Sequence, residues 1–298
     1  MMNRFFNLMQ QKKLVLADGA MGTELIKRGL KPGEPPESWN VKHPEVVLGI
    51  QRKYVEAGAE IILTNTFGGN RLKLRRAGME TKWREFNLTG VKITQEAARN
   101  KVLVAGDMGP TGEFLYPYGD YQPEDILQVY AEQVQILVEE GVDLIVIQTM
   151  SDLRELQTAV QACRQYSSIP VAACVSFSRR GSEFRTFMGA TIPQVVNLIK
   201  DTGTAVLGTN CGDVTPQEMS LVIGEMTRLT SCPLIAKPNA GLPLIKEGET
   251  IYPLSPEEFS RAVQEIVEAG AKIIGGCCGT SPEHIRVLRT HLEKKNLV

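Results

Sequence analysis

No apolar run in this chain approaches the roughly 18 residues that a membrane span requires, the longest being strand-sized pieces such as the one ending at Ile147. An excess of charge is also missing: 33 Lys and Arg stand against 34 Asp and Glu, a formal charge of −1. That balance provides no overall electrostatic footprint for nucleic acid or for an anionic membrane. Cysteine is sparse, six in 298 residues with Cys277 and Cys278 adjacent. Such usage excludes a secreted disulfide scaffold and points to reduced, cytoplasmic thiols. A cleavable leader is not expected either. The stretch Met1 to Lys13 places Arg4 ahead of Phe5, Phe6, Leu8 and Met9, but Asn3, Asn7, Gln10 and Gln11 interrupt it and no small-residue cleavage site follows, so it predicts a first helix. What is present, 43% hydrophobic and 22% charged residues, is a soluble globular composition able to bury a large core, which removes disordered and fibrous classes.

Short β-rich runs alternate with amphipathic segments along the chain. The runs are Leu14 to Ala17, Ile61 to Thr64, Val102 to Ala105, Leu144 to Ile147, Val171 to Val175, Ala205 to Gly208, Leu234 to Ala236 and Lys272 to Ile274. Eight is the number that closes a (β/α)8 TIM barrel. A doubly wound open sheet shows the same alternation, and the count favours the barrel. Five helix starts place proline in the first turn beside acids, at Pro44, Pro123, Pro216, Pro256 and Pro282, as suits a helix end with unpaired donors. Helices that stop at Gly58, Gly141 and Gly270 pass directly into strands. No linker or composition shift divides the chain, so residues 1–298 read as a single domain, an N-terminal helix over 1–13 and a barrel over 14–292. Glu34 to Trp39 and Pro238 to Leu254 are its longer loops near the mouth.

Glycine, thiol and polar residues collect after the strands, where the loops of a barrel converge on the active site. Among them are Asp18-Gly19-Ala20-Met21-Gly22, Gly106-Asp107-Met108-Gly109-Pro110, Gln148-Thr149-Met150, Asn210-Cys211-Gly212 and Gly275-Gly276-Cys277-Cys278-Gly279. Adjacent cysteines point to opposite faces of a regular strand, but flanking glycines permit a turn that aims both sulfurs inward. With Cys211 two strands away, three thiolates would meet as a zinc site with one position open, the arrangement of a catalytic zinc. A redox thiol pair is the alternative, weakened by the strain of a vicinal disulfide. Cys163, Cys174 and Cys232 read as small buried apolar residues.

Through Asp18 to Thr23, Thr64 to Asn70, Asn210-Cys211-Gly212, Lys237 to Pro243 and Gly275 to Thr280, the chain resembles the homocysteine S-methyltransferase family, zinc-dependent barrels, from about Leu14 to Leu292. The segment Thr66 to Arg71 is particularly similar to the homocysteine-binding module of cobalamin-dependent methionine synthase. The resemblance implies zinc on Cys211, Cys277 and Cys278, with a substrate thiol deprotonated at the open position. Water or the side-chain oxygen of Asn239 would fill that position otherwise. For the amino-acid part of the substrate, the turn Gly19-Ala20-Met21-Gly22 offers backbone donors to a carboxylate, and Asp18 a partner for an ammonium or a cap for its own turn. The family's ammonium-binding Glu after the fourth strand is replaced by Gln148, which forfeits the charge attraction.

With three histidines in all, His43, His284 and His291, and no Asp-x-His-x-x-Gly pattern, the chain is expected to receive its methyl group from methylcobalamin or another corrinoid carried by a separate protein. S-adenosylmethionine or S-methylmethionine is the small-molecule alternative. A different methylated substrate or thiol without an ammonium would suit Gln148, and a zinc-binding module without turnover is the reading from another class. The segment Tyr116 to Tyr121 reads as a partner or substrate loop, or as a packed rim loop.

Overall fold

The computed structural model describes residues 3–200, 202–246 and 248–298. Eight strands form one parallel sheet: β1 (Val15–Leu16), β2 (Ile61–Leu63), β3 (Leu103–Met108), β4 (Leu144–Met150), β5 (Val171–Val175), β6 (Val206–Asn210), β7 (Leu234–Lys237) and β8 (Ala271–Ile274). Their spatial order, β1-β8-β7-β6-β5-β4-β3-β2, wraps into a barrel that a parallel bridge from Ala17 to Ile61 completes between the first and last members. The Asp18 N–H donates to the Ile61 carbonyl at 3.0 Å across the same seam. The expected (β/α)8 barrel is therefore what the chain forms, with a helix after each strand.

Strand periodicity divides the core in two. Val15, Ala17, Ile61, Leu63, Leu103, Ala105, Leu144, Val146, Ala172, Cys174, Val206, Ile235 and Ile273 pack inside the barrel. Their neighbours, including Leu16, Ile62, Val104, Ile145, Ala173, Leu207, Ala236 and Ile274, face the surrounding helices. The helix expected near the N-terminus runs from Arg4 to Gln11 and closes the barrel at the end opposite the mouth. Phe5, 1% exposed, enters the interior cluster, and Arg4 pairs with Asp143 just ahead of β4 at 3.1 Å.

Proline opens each of the five anticipated helices, Pro44–Glu56, Pro123–Glu139, Pro216–Leu229, Pro256–Glu268 and Pro282–Lys294. Four of them add a reciprocal side-chain cap, such as Thr215 with Glu218. Gly58, Gly141 and Gly270 are all left-handed, as the short helix-to-strand turns need. No helix among the described residues is long and apolar enough to cross a membrane. The loop after β7 carries a small hairpin, Leu244–Lys246 with Glu249–Ile251, and the loop after β1 a short helical turn, Pro36–Ser38.

Inside the barrel, Gly208 on β6 has no room for a side chain, because a Cβ there would be driven into the carbonyl oxygen and side chain of Ile235 on β7. Gly208→Ala should therefore lower stability by about 3 kcal/mol, since overpacking forces the strands apart. A urea-unfolding midpoint equal to that of the parent chain would contradict the tight β6–β7 contact.

Candidate metal centre and binding cavity

Each cysteine of the mouth is placed by backbone hydrogen bonds from a neighbouring strand end. Cys211 follows β6 in the left-handed region, φ +55°, with its N–H on the Lys237 carbonyl at 3.2 Å. The Cys277 N–H donates to the Pro238 carbonyl at 2.8 Å, and the Cys278 carbonyl accepts from Ala240 at 2.9 Å. Thr280 ties this loop to β1: its hydroxyl donates to the Cys277 carbonyl at 2.7 Å and accepts the Ala20 N–H at 3.1 Å. The glycines work differently from the expectation. Gly279 alone of the three is left-handed, φ +82°. Gly275 and Gly276 are needed for close approach, since a Cβ on either would strike the Asp18 carbonyl or the Thr280 side chain.

The three sulfurs lie within 4.8 Å of one another, Cys211 and Cys278 at 3.9 Å. Thiolates at tetrahedral corners around zinc, at bonds of about 2.3 Å, are about 3.8 Å apart, so the donor set fits that ion. Electrostatics agree. The Cys211 thiol is pushed up to about 12 by its hydrogen bond with Cys277 and then by burial. Cys278 is pushed up to about 11 by its bond with Cys211 and then by burial. Three such groups ionise together only around a cation. Asn239, 3% exposed, adds a second sign of fit: its amide donates to the Gly212 carbonyl at 3.2 Å while its Oδ1, buried, has no hydrogen-bond partner. Asn239 is next to the Cys211 loop through its bond to Gly212 and is not among the residues that line the cavity bordered by the cysteines.

That cavity holds about 630 Å³ and is lined by Asp18, Gly19, Ala20, Met21, Gln148, Cys211, Cys277 and Cys278, so every other expected site residue meets here. Two expectations change in detail. Both oxygens of Asp18 are engaged, Oδ1 with Lys237 Nζ at 3.0 Å and Oδ2 with the Leu63 N–H at 2.7 Å, so its ammonium partner in this structure is the chain's own lysine. The Ala20 N–H, expected among the carboxylate donors, is spent on Thr280. Of the cysteines read as packing residues, Cys163 and Cys174 are fully buried and pushed up to about 12 by burial, whereas Cys232 is only partly buried.

Three residues of the mouth motifs had no role assigned from the sequence. Asp107 and Lys237 lie two positions beyond Ala105 and Ile235, on the same inward face. Period-2 alternation would have found them had β3 and β7 been continued past their apolar runs. Burial drives the Asp107 carboxyl well above the usual range, though Lys237 opposes it. Burial alone would lower the Lys237 ammonium, but Asp18 and Asp107 outweigh it and hold it charged. The third is Asn210. It accepts the Thr149 N–H at 2.8 Å, donates to Thr149 Oγ1 at 2.7 Å and reaches Cys277 Sγ at 3.8 Å. It thereby fixes Thr149, also left-handed at φ +62°, beside the sulfurs.

Residues 15–292 match the homocysteine S-methyltransferase family. The chain belongs to that family. It is 31% identical over 96% of its length to a methionine synthase of Mycobacterium leprae, and 33% identical over 92% to one of Mycobacterium tuberculosis. It spans about a quarter of the length of these relatives, 25% and 24%. Among solved structures, the metallated form of the homocysteine methyltransferase MmuM from Escherichia coli superposes with a TM-score of 0.79 at 25% identity, covering 95% of this chain and 98% of that one.

Each of Cys211→Ala, Cys277→Ala and Cys278→Ala should abolish stoichiometric zinc in elemental analysis of zinc-loaded protein, while Cys163→Ala and Cys232→Ala retain it. Retention of one zinc per chain by a folded Cys211→Ala protein would refute the assignment. Lys237→Met should cost about 3–5 kcal/mol in denaturant unfolding, because it strands the buried Asp18 carboxylate, and adding Asp18→Asn should recover most of that loss. Equal stability of parent and Lys237→Met would show that the pair carries no such role.

Proposed function

We propose that this barrel is a zinc-dependent S-methyltransferase that moves a methyl group between a corrinoid carrier, methylcobalamin or a separate methyl-corrinoid protein, and a small thiol, homocysteine, to give methionine. The observation that carries the reading is the convergence of three cysteine sulfurs within 4.8 Å at the wall of a cavity large enough for an amino acid. Family membership and the names of the relatives support the substrate, and the likeness of Thr66 to Arg71 to the cobalamin-using branch supports the donor.

Cys211, Cys277 and Cys278 would hold the metal, leaving one position for the substrate. When bound, zinc supplies the Lewis acidity that lets a substrate thiol lose its proton near neutral pH. The chain's own residues do the rest. Asn239, whose Oδ1 is unpartnered, is suited to satisfy the centre between turnovers. The turn at Gly19 to Gly22 offers the remaining backbone donors to a carboxylate. Asp18 and Lys237, buried as a pair, position β1 and β7 around the cysteine loop. Phe67, Pro35, Pro36 and Leu74 add apolar surface to the cavity lining, which would keep water from the substrate sulfur.

Gln148 favours a second reading, in which the substrate is a thiol or methylated compound without an ammonium, or the donor is S-adenosylmethionine or S-methylmethionine. Zinc-loaded protein should methylate homocysteine from methylcobalamin, and removal of zinc by chelation should stop it. Full turnover with S-adenosylmethionine and no corrinoid would replace the donor, and turnover of deamino thiols in preference to homocysteine would replace the substrate.

A further inference from the structure

Two polar atoms aimed at the cavity have no partner of their own. Gln148 Nε2 donates to Asp107 Oδ2 at 2.8 Å, and this bond leaves Gln148 Oε1 and Asp107 Oδ1 buried and unpaired. Both residues line the cavity that the cysteines border, at 8% and 6% exposure. Two orphaned acceptors side by side, with no orphaned side-chain donor among the described residues that line this cavity, call for a ligand group with at least two N–H bonds. Charge narrows the choice. On the cavity floor Lys237 forms its ion pair with Asp18, at 3.0 Å, and attracts Asp107 only from beyond ion-pair distance, so the Asp107 carboxyl has room for a cation in direct contact. A neutral amide would satisfy the hydrogen bonds; a primary ammonium satisfies the charge as well.

We infer that Asp107 and Gln148 together form the receptor for a substrate ammonium, Asp107 supplying the charge and Gln148 a second acceptor while holding the carboxylate in place. The inference rests on the reading of the substrate as an amino-acid thiol and locates what selects it. The adjacent strands make the pair possible. Asp107 and Gln148 continue the inward faces of β3 and β4, and the register sets Asp107 against Val146, one pleat below Gln148. A glutamate at 148 would then add nothing: two carboxylates at hydrogen-bond distance share a proton, and the pair keeps a single negative charge.

Calorimetric titration of zinc-loaded protein with homocysteine and with 4-mercaptobutanoate, the same thiol without its amino group, tests this. The parent chain should prefer homocysteine by about tenfold or more, as a charge-assisted bond is worth. Asp107→Asn should erase that preference, weakening homocysteine by about tenfold and 4-mercaptobutanoate by less than about twofold. Gln148→Glu should give no gain, and the exchange Asp107→Asn with Gln148→Glu should recover homocysteine binding to within about threefold of the parent. An unchanged preference in Asp107→Asn, an equal loss for both thiols, or a tenfold gain from Gln148→Glu would overturn the inference and leave homocysteine as the substrate. A parent chain that binds 4-mercaptobutanoate as well as homocysteine, or binds neither, would overturn the substrate reading and the receptor with it.

Discussion

The buried ion pair between Asp18 and Lys237 reaches across β8 from β1 to β7. Both cysteines of the adjacent pair hang from the end of that bridged strand. Gly276 gives its N–H to the Asp18 carbonyl and Cys277 gives its N–H to the Pro238 carbonyl, so the loop is sewn to the partners on either side. An ion pair without solvent is costly to form and costlier to break by halves. The cost is accepted where the strand ends carry the three clustered cysteines, whose sulfurs the pair helps to hold within 4.8 Å of one another.

The same end of the barrel gathers the strained backbone. Cys211 and Thr149 both occupy the left-handed region, and Asn210 between them holds Thr149 by two hydrogen bonds and reaches a third strand through Cys277. Strain of this kind persists only where surrounding contacts over-determine it. Apolar packing below supplies the rigidity: Phe5 plugs the far end, and layers of Val, Ile, Leu and Ala fill the interior up to the polar floor. The mouth is then free to carry charges, unpaired acceptors and thiols that would be intolerable deeper in the core.

Much of this is written in the chain. The eight apolar runs, the prolines that open helices and the glycines that end them act over a few residues, and the structure has each where local chemistry asks for it. Cys211, Cys277 and Cys278 were legible as a cluster because adjacent cysteines among glycines have little to do in a packed core. The strand ends were less legible. β3 runs on to Met108, β4 to Met150, β6 to Asn210 and β7 to Lys237, each beyond the apolar run that marks it in the sequence. Period-2 hydrophobicity fades just where inward positions turn polar, and inward polar positions are the site itself. Asp107 and Lys237 were visible in the mouth motifs, but their inward orientation was not, for that reason.

What the sequence by itself determined is the alternation, the number of strands and the identity of the three thiols that cluster at the mouth, since these rest on local conformation and on residue chemistry. Only the tertiary structure decided which charges meet. Asp18 and Lys237 are 219 positions apart, and Asp107 and Gln148 are 41 apart. Their pairing depends on barrel closure and strand register, which bring distant strand ends within hydrogen-bond reach and which no local pattern encodes. A glutamine at 148 read alone is a missing charge. Beside Asp107 on the neighbouring strand it is half of a hydrogen-bonded pair, because in a parallel barrel adjacent inward residues share one cavity whatever their separation along the chain.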